Sequence, residues 1–513
     1  MDDYKLAILS AFLIIASIIW WFWISKTSKK ETHPIPPGPR GLPILGYLPF
    51  LQLNLHKQFT ELAQKYGPVY KLWLGSKLSV VISSPSLIKE VVRDHDTVFA
   101  NRDPPVAAMV ATGGVDIVWS PYGQYWRDMR KLFVREMLSN RNLEASYHLR
   151  KDEVRKVVKS LCMKIKTGSS VEISELIFVT ELNVVFNMLW GGTMDKKIMD
   201  RIGSEFREAI SKVVDLLGKP NVSDFFPVLA KLDVQGIEKE TKRLMPCIDE
   251  ILDSVIYERM KTMASGKSRD EGRKDFLQIL LELKEQNVSN RSIDLPQIKA
   301  ILKDIIVGGT DTTATIIEWA MSEVLNDPQV KKRVQDELTQ VVGLNNAVEE
   351  SHIPRLHYLD AVIKESFRLH PPVPLLVPRL PSQSSVIGGY TIPKGSRVFL
   401  NVWSIHRDPL VWDNPSEFKP DRFFNGSGNF DFTGNNFQYL PFGSGRRICP
   451  GILLAERMVM HLLATLFHLF EWKLPEGSEN NIDLSENFGI VMRKKTPLIA
   501  IPSPRLHDSE IYA

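Results

Sequence analysis

Apolar residues recur at the spacing of an α-helix along most of this 513-residue chain. We predict helices over 87–94, 144–166, 199–217, 238–265, 275–286, 297–326, 329–342 and 451–470. Strand patterns are confined to 69–74, 77–82, 390–392 and 396–403, and short turn sequences separate the members of each pair. The chain therefore predicts a mainly α protein with a small β region.

The composition favours one large folded domain. Hydrophobic residues make up 44% of the chain and charged residues 24%, which supplies a large core and excludes intrinsic disorder. Length alone would suggest about three domains of ~150 residues, but no repeat or second linker follows Pro43. The net charge of +4 is too small to indicate nucleic acid as a partner. Three cysteines, Cys162, Cys247 and Cys449, can form neither a four-cysteine zinc site nor a disulfide framework, which indicates a reducing compartment.

The amino end predicts a single membrane-spanning helix. Residues 6–24 carry no charge, and at 1.5 Å per residue they span roughly 28 Å, about the thickness of a hydrocarbon core. A cleaved signal peptide is the alternative, but the run is too long and no small-residue cleavage site follows it. Lys26, Lys29 and Lys30 follow the run, so the positive-inside rule places the body in the cytosol. We divide the chain into a membrane anchor at 1–30, a stiff proline-rich spacer at 31–46 and one domain at 47–513.

The most informative segment is PFGSGRRICPG at 441–451, where Cys449 lies in a glycine-rich loop directly before an apolar helix. Backbone N–H groups at such a junction stabilise a thiolate, and Arg447 adds positive charge. A buried structural cysteine is the alternative. The pattern Phe442-x-x-Gly445-x-Arg447-x-Cys449-x-Gly451 resembles the haem-thiolate loop of the cytochrome P-450 family. This resemblance implies the cytochrome P-450 fold, haem b as the cofactor, Phe442 beside it, and Cys449 as the ligand of its iron.

Further segments match the same family. Glu365 and Arg368 form an acid–base pair at i, i+3, which alone would indicate a surface salt bridge. With Arg422 in the later segment FKPDRF, they resemble the family's Glu-Arg-Arg network, a structural network that ties the cysteine loop to the core.

A tryptophan and several arginines resemble the residues that bind the haem propionates. Trp126 and Arg130 lie at i, i+4 on one helical face, where a core tryptophan and a surface arginine would be the ordinary interpretation. By resemblance these two residues, together with Arg102, Arg379 and Arg447, are the propionate partners.

The segment around Gly308 and Gly309 permits two interpretations, a break between two helices or one long helix with a local distortion. Uninterrupted apolar periodicity favours the single helix. It resembles the family's oxygen-binding helix, with Gly309, Asp311 and Thr312 in the signature positions and Gly308 in place of the usual alanine. The resemblance implies that Gly309 borders the cofactor, that Thr312 holds a water and that Asp311 connects this water to solvent as a proton source.

No flavin or nicotinamide fingerprint is present, so electrons must come from another protein. The resemblance implies an NADPH-dependent flavoprotein reductase and location in the endoplasmic-reticulum membrane, with O2 as co-substrate. Candidates for a docking face are Arg127, Lys131, Arg135 and Arg446, although a merely solvated charged face is an equal alternative.

The matching segments are most similar to the plant microsomal branch, and within it to hydroxylases of sesquiterpenes and flavonoids. By family position the substrate pocket involves 106–115, 206–212, 305–312, 374–377 and 489–491. These segments are largely aliphatic, which favours a small apolar terpenoid over a flavonoid, since flavonoid hydroxyls need polar partners. Two further hypotheses are a non-oxygenating isomerase or dehydratase and a haem-binding scaffold without turnover.

Overall fold

The structure is a computed structural model that describes residues 33–191, 205–265, 274–285, 293–425, 430–476 and 482–512, with scattered residues between 4 and 20. Its α-helices are α1 (Leu55–Tyr66), α2 (Pro85–Lys89), α3 (Val106–Thr112), α4 (Gln124–Glu136), α5 (Asn140–Ala145), α6 (Tyr147–Lys166), α7 (Ile173–Trp190), α8 (Arg207–Gly218), α9 (Val222–Phe225), α10 (Ile237–Ala264), α11 (Phe276–Glu285), α12 (Leu295–Asn326), α13 (Pro328–Val342), α14 (His357–Leu369), α15 (Val402–Ile405), α16 (Asp421–Phe424) and α17 (Ile452–Leu469). The mainly α class is confirmed.

Local sequence signals explain where the longest helix begins and ends. Asp294 caps α12: its carboxylate accepts the Gln297 N–H over 2.8 Å, and the Gln297 side chain accepts the Asp294 N–H over 3.0 Å. Asp327 then caps α13 by accepting the N–H groups of Gln329 and Val330, and Pro328 occupies the first helical position. An aspartate followed by proline therefore separates the two helices, in agreement with the predicted ranges 297–326 and 329–342.

Several predicted helices differ from the observed ones. The predicted helix over 87–94 is α2 followed by a single π-helical turn, Glu90–Asp94. The first part of the predicted helix over 199–217 lies outside the described residues, and α8 covers the rest. Among the helices of ten or more residues, the predicted ranges omit α1 and α7, and they cover α4 and α14 only through the pairs Trp126–Arg130 and Glu365–Arg368. Because most of α7 is apolar and buried, it lacks the polar face on which periodicity depends.

The described residues contain four small sheets. Their strands are β1 (Val69–Leu74), β2 (Lys77–Ile82), β3 (Val171–Glu172), β4 (Ser385–Ile387), β5 (Tyr390–Ile392), β6 (Arg397–Leu400), β7 (Phe470–Lys473), β8 (Glu486–Asn487), β9 (Arg493–Lys494) and β10 (Ile499–Pro504). The β1–β2 hairpin is confirmed. The strands on either side of residues 393–395 do not pair with each other: β5 pairs with β4, while β6 runs parallel to β2, Val80 opposite Val398.

Most of α12 is buried at the centre of the molecule, against α7, α17 and α14. Among the described residues, two helices, α7 and α17, are long and apolar enough to cross a membrane, but 67% and 72% of their respective apolar windows are buried, so both are core helices. The described residues of the predicted anchor are helical and mostly exposed, Ile14 by 60% for example. The other residues of 6–24 lie outside the described part.

From residue 33 the proline-rich segment forms no helix, as its prolines predict, and it lies against the sheets rather than standing free. The Pro37 carbonyl accepts the Lys71 N–H of β1 over 2.8 Å, and the Pro34 carbonyl accepts the Thr391 N–H of β5 over 2.9 Å. Gly38 packs so closely on Lys71 that a side chain at 38 would collide with the Lys71 carbonyl. These contacts make the described part of the spacer a component of the folded body.

Candidate active site

The loop at 441–451 ends where α17 begins, and it holds Cys449. The Cys449 N–H donates to the Phe442 carbonyl over 3.0 Å, and the Gly451 N–H donates to the Cys449 sulfur over 3.4 Å. Burial raises the pKa of the Cys449 thiol, whereas the Gly451 N–H and the Arg130 charge lower it. The Gly451 N–H and the Arg130 charge thus oppose the effect of burial and favour the thiolate, the form that binds a metal.

Asp96 lies beside this loop and was not identified from the sequence. Its carboxylate accepts the Arg446 backbone N–H over 3.1 Å and lies 3.4 Å from the Arg446 side-chain Nε. Gly445 has a φ of +71°, and a Cβ there would come within 2.4 Å of the Val92 backbone oxygen and within 2.9 Å of an Asp96 oxygen. The left-handed backbone and the close approach of the Val92 carbonyl therefore require glycine at 445.

The three residues predicted to form a network come together at α14, which carries Glu365 and Arg368, while Arg422 reaches Glu365 from another segment. Arg368 donates to both oxygens of Glu365, over 2.7 and 2.8 Å, and Arg422 donates to one of them over 3.2 Å. Arg368 also donates to the His406 carbonyl over 2.7 Å. Burial lowers the pKa of His406 to about 3, and its neutral Nε2 accepts the Leu440 N–H over 2.9 Å, one residue before the cysteine loop. The network thus connects α14 to the loop.

Four of the predicted propionate partners, all arginines, are gathered in one buried cluster, in which backbone carbonyls accept their hydrogen bonds. Arg102 donates to Val377 and Pro378, Arg130 to Ile448, Arg379 to Ser444, and Arg447 to Ala100, Ile117 and Ser120. Burial lowers the pKa of Arg379 to about 10 and that of Arg447 to about 9, the latter with help from the neighbouring arginines.

This arginine cluster carries positive charge that the described residues do not neutralise. Its one ion pair among them is the weak pair of Arg379 with Asp96, at 3.7 Å. Within the same residues, Arg102 Nε and Arg379 Nη1 are buried without a hydrogen-bond partner. Buried charges are normally paired, so the cluster indicates an anionic ligand. The two carboxylates of a haem match this requirement in charge and in geometry.

In the structure the indole N–H of Trp126, predicted to bond a propionate, donates to the Ile117 carbonyl over 2.9 Å, a carbonyl that Arg447 also uses. The Arg447 guanidinium carbon lies 4.3 Å from the Trp126 ring centre and that of Arg130 lies 5.5 Å away. Trp126 therefore supports two arginines of the cluster through its ring.

Phe442 packs into an aromatic group under the cysteine loop. Its ring centre lies 5.0 Å from that of Phe367 and 5.1 Å from that of Phe432. These distances are typical of stabilising aromatic pairs. The contacts that the structure shows for Phe442 thus support the loop from α14.

The distortion predicted in the long helix is absent, since α12 is helical through Gly308 and Gly309. The Thr312 hydroxyl donates to the Gly308 carbonyl over 2.7 Å. A Cβ at Gly309 would come within 2.9 Å of Val185 in α7, whereas one at Gly308 would meet no described atom within 4 Å. Gly309 thus serves the close packing of two helices, and Gly308 is the glycine that borders open space.

Asp311 takes part in an ion-pair series that the sequence did not predict. Arg493 on β9 donates to Asp311 from Nε over 3.0 Å and from Nη2 over 2.9 Å, and to Asp215 on α8 over 2.8 Å. Burial raises the pKa of Asp311, and Arg493 opposes this. The exposed fractions of the side chains of Asp311, Arg493 and Asp215 are 9%, 25% and 52%, so the series runs from the interior to solvent.

A cavity of about 140 Å³ adjoins the arginine cluster: Pro378 lines it, and the Pro378 carbonyl accepts a hydrogen bond from Arg102. Two of the predicted pocket segments contribute to its wall, through Pro374 to Leu376 and through Gly489 to Ile490. The structure places the segment at 305–312 on α12, outside this wall.

Comparison with known proteins agrees with the site. The cytochrome P450 family model matches residues 36–501. A flavonoid 3'-monooxygenase of Crocosmia x crocosmiiflora is 38% identical over 96% of this chain and 97% of its own length. A geraniol 8-hydroxylase of Swertia mussotii is 38% identical over 93% of this chain and 94% of its own. A zebra fish cytochrome P450 solved with progesterone has a TM-score of 0.75 at 26% identity, covering 88% of this chain and all of that one. The chain therefore belongs to the cytochrome P450 family and is a haem-thiolate monooxygenase of its plant branch.

Proposed function

We propose that this monooxygenase hydroxylates a small apolar plant secondary metabolite, a terpenoid and most specifically a sesquiterpenoid. The observation that carries the proposal is the composition of the cavity wall, which consists mainly of apolar residues, among them Leu51, Phe59 and Phe399. The charged residues in this wall are Asp103, Lys219, Asp224 and Arg397. Such a wall favours an apolar skeleton with few polar groups. The geraniol 8-hydroxylase similarity is consistent with a terpenoid.

In this function Cys449 is the iron ligand, and the four buried arginines bind the propionates. Haem supplies the activation of O2 and the insertion of one oxygen atom into a carbon–hydrogen bond. The Cys449 thiolate would donate electron density to the iron, and the Gly451 N–H would moderate its charge. The four arginines would hold the propionates through charge-assisted hydrogen bonds, which are stronger than their bonds to backbone carbonyls.

Proton delivery is assigned to Thr312 and Asp311. The Thr312 hydroxyl, bonded to the Gly308 carbonyl, lies where open space borders the helix and would hold a water there. Asp311 would release or accept a proton when its pairing with Arg493 loosens, and Asp215 extends the route to solvent.

Electrons are expected from an NADPH-dependent flavoprotein reductase. Arg127, Lys131, Arg135 and Arg446 are all exposed, as a docking face requires. Arg127 and Lys131 lie on α4, whose buried face carries Trp126 beside the arginine cluster. This arrangement supports docking of an acidic partner on the thiolate side of the site.

The amino-terminal run is proposed as a single-pass anchor in the endoplasmic-reticulum membrane, with the domain in the cytosol. Its described residues, such as Leu13 and Ile14, are helical and largely exposed, which suits contact with lipid. The domain limits at 1–30, 31–46 and 47–513 belong to the same proposal.

A flavonoid or other phenolic compound is the second candidate substrate, favoured by the similarity to a flavonoid 3'-monooxygenase. An isomerase, a dehydratase or a haem-binding scaffold without turnover is less well supported. Those activities do not require the acid and alcohol at Asp311 and Thr312.

The test uses microsomes that contain the full-length protein and a plant reductase, fed in parallel with sesquiterpenes, monoterpenoids and flavonoids. We expect a hydroxylated terpenoid that forms only with NADPH and O2, and none from the matched Cys449→Ser microsomes. Products from flavonoids alone would establish the second candidate. Conversion without NADPH would indicate an isomerase or a dehydratase, and a carbon monoxide band without any product would indicate a scaffold.

A further inference from the structure

The segment between α3 and α4 contains a buried turn, residues 116–120, that the proposed function does not use. Asp116 begins this turn and is only 1% exposed. One oxygen of its carboxylate accepts the Trp119 N–H over 2.5 Å and the Ser120 N–H over 3.2 Å. The other oxygen accepts the Thr112 hydroxyl. Three hydrogen bonds to one carboxylate stabilise its charged form in a place where burial opposes charge.

Arg447 of the arginine cluster holds the opposite side of the same turn. Its guanidinium donates to the Ile117 carbonyl over 3.1 Å and to the Ser120 carbonyl over 2.5 Å. The turn therefore lies between an anion that accepts its N–H groups and a cation that donates to its carbonyls. The two charges also act on each other across the turn. Arg447 lowers the pKa of the Asp116 carboxyl, and Asp116 raises the pKa of Arg447, each against the effect of burial.

Asp304 of α12 is a second carboxyl group at this turn. One of its oxygens accepts the Ile117 N–H over 2.7 Å and the Val118 N–H over 2.9 Å. Burial raises the pKa of Asp304 well above its usual value, and the Asp116 charge raises it further. Burial also raises the pKa of Asp116, but Arg447 and three hydrogen bonds oppose it there. Asp116 is therefore the ionised member of the pair, and Asp304 holds the turn as a neutral acceptor.

The balance of charge in the arginine cluster gives Asp116 its significance. Four guanidinium groups carry two more charges than the two carboxylates of a haem can neutralise. Asp96, 3.7 Å from Arg379, supplies one of the missing negative charges. Asp116 supplies the other, from the far side of the turn that Arg447 holds. With the cofactor bound, the positive and negative charges of the cluster and its surroundings are then equal in number.

We propose that Asp116 is a positioning residue of the cofactor site, which orients Arg447 through the turn at 116–120 and whose charge lowers the reduction potential of the bound haem. The inference rests on the proposed function, in which Arg447 binds a propionate, and adds a residue that tunes the cofactor. Reduction adds one electron to the haem iron, and a negative charge nearby makes this less favourable. Removal of the Asp116 charge should therefore raise the potential.

The test measures the one-electron reduction potential of the haem-loaded full-length protein without substrate, by stepwise reduction with dithionite followed through the haem absorption. Asp116→Asn keeps an oxygen for the N–H groups of Trp119 and Ser120 and removes the charge. We expect the equilibrium constant for reduction to rise on the order of tenfold, equivalent to about 59 mV, because a unit charge in a protein interior acts over about 10 Å. The carbon monoxide band should be retained.

Asp304→Asn is the matched control. It makes the same chemical change at the same turn and keeps an oxygen for the N–H groups of Ile117 and Val118. Because Asp304 is the neutral member of the pair, we expect its replacement to change the reduction equilibrium by less than about twofold. A shift as large as that of Asp116→Asn would overturn the assignment of the charge to Asp116.

An unchanged or lower potential in haem-loaded Asp116→Asn would overturn the inference and leave Asp116 a purely structural role. If Asp116→Asn does not take up haem, Asp116→Ser is measured in its place, since a serine hydroxyl can also accept the N–H groups of the turn. Loss of haem from both variants would likewise overturn a role in tuning the potential. Failure of the proposed function is recognised separately, in the unmodified protein, by the absence of hydroxylated product with reductase and NADPH.

Discussion

The two sides of the candidate site are constructed differently. On the thiolate side, Cys449 is held by backbone hydrogen bonds, and the buried pair of Glu365 and Arg368 is connected to the same loop through His406. On the α12 side, Asp311 belongs to an ion-pair series that ends in the half-exposed Asp215. The thiolate side is therefore a closed network, whereas the α12 side is open to solvent.

This difference indicates that the two sides of the site have different functions. A metal ligand must keep its geometry, so its surroundings are held by buried hydrogen bonds. The groups on a proton route must change hydrogen-bond partners as the proton moves, so these groups are ionisable and their hydrogen bonds can be replaced. Changes on the thiolate side should therefore abolish the cofactor site or the fold, and changes on the α12 side should preserve both and alter proton use.

Replacement of the thiolate provides the strongest test of the closed side. Cys449→Ser removes the iron ligand, and we expect complete loss of the thiolate-type absorption band of the reduced protein with carbon monoxide. Cys162→Ser and Cys247→Ser are the matched controls, and both should keep the band. Retention of the band by Cys449→Ser would falsify the ligand assignment.

Glu365→Gln tests whether the buried network stabilises that side. It leaves Arg368 charged and incompletely paired in a fully buried position, which should lower the free energy of unfolding by about 3–5 kcal/mol. The measurements are the denaturant midpoint and the haem content of purified protein. Lys364→Gln, which breaks the more exposed pair with Asp360 on the same helix, should change stability by less than about 1 kcal/mol. Equal effects of the two variants would contradict the comparison.

Thr312→Ala and Asp311→Asn test the open side. Both should bind haem and retain the carbon monoxide band, but the ratio of product to NADPH consumed should fall on the order of tenfold. Thr312→Ala should divert more reducing equivalents to hydrogen peroxide, because it removes the hydroxyl proposed to hold the water. Thr313→Ala, which alters the next residue of α12, should leave this ratio near that of the unmodified protein. Unchanged ratios in both test variants would remove these residues from the proton route.

A smaller effect is expected from Arg493→Gln. The Arg493 charge opposes the burial that raises the pKa of Asp311, so its removal should raise that pKa further. Asp311 would then stay protonated to higher pH, and the decline of product per NADPH with rising pH should move to higher pH. Asp215→Asn, which changes only the outer carboxylate, should move the profile less. A shift to lower pH in Arg493→Gln would contradict the route.

The residue patterns identified the thiolate side more completely than the α12 side. Cys449, Glu365 and Arg368 lie within short motifs whose spacing reflects a loop or one turn of helix, and the structure brings them together through few intermediates. The partner of Asp311 lies 182 residues away on a two-residue strand, and no local pattern specifies such a contact. The predicted helix distortion was also wrong, because threonine hydroxyls bond the preceding turn without opening it.

Local physical chemistry determined what the sequence by itself could predict about this protein: the helical class, the β1–β2 hairpin, the break at Asp327-Pro328 and the loop around Cys449. Each depends on the periodicity, capping or turn preference of neighbouring residues. Only the tertiary structure decided that Gly309 packs on α7 and that Arg493 binds Asp311. These features arise from packing between elements distant in the chain, where burial rather than spacing sets the energy of each contact.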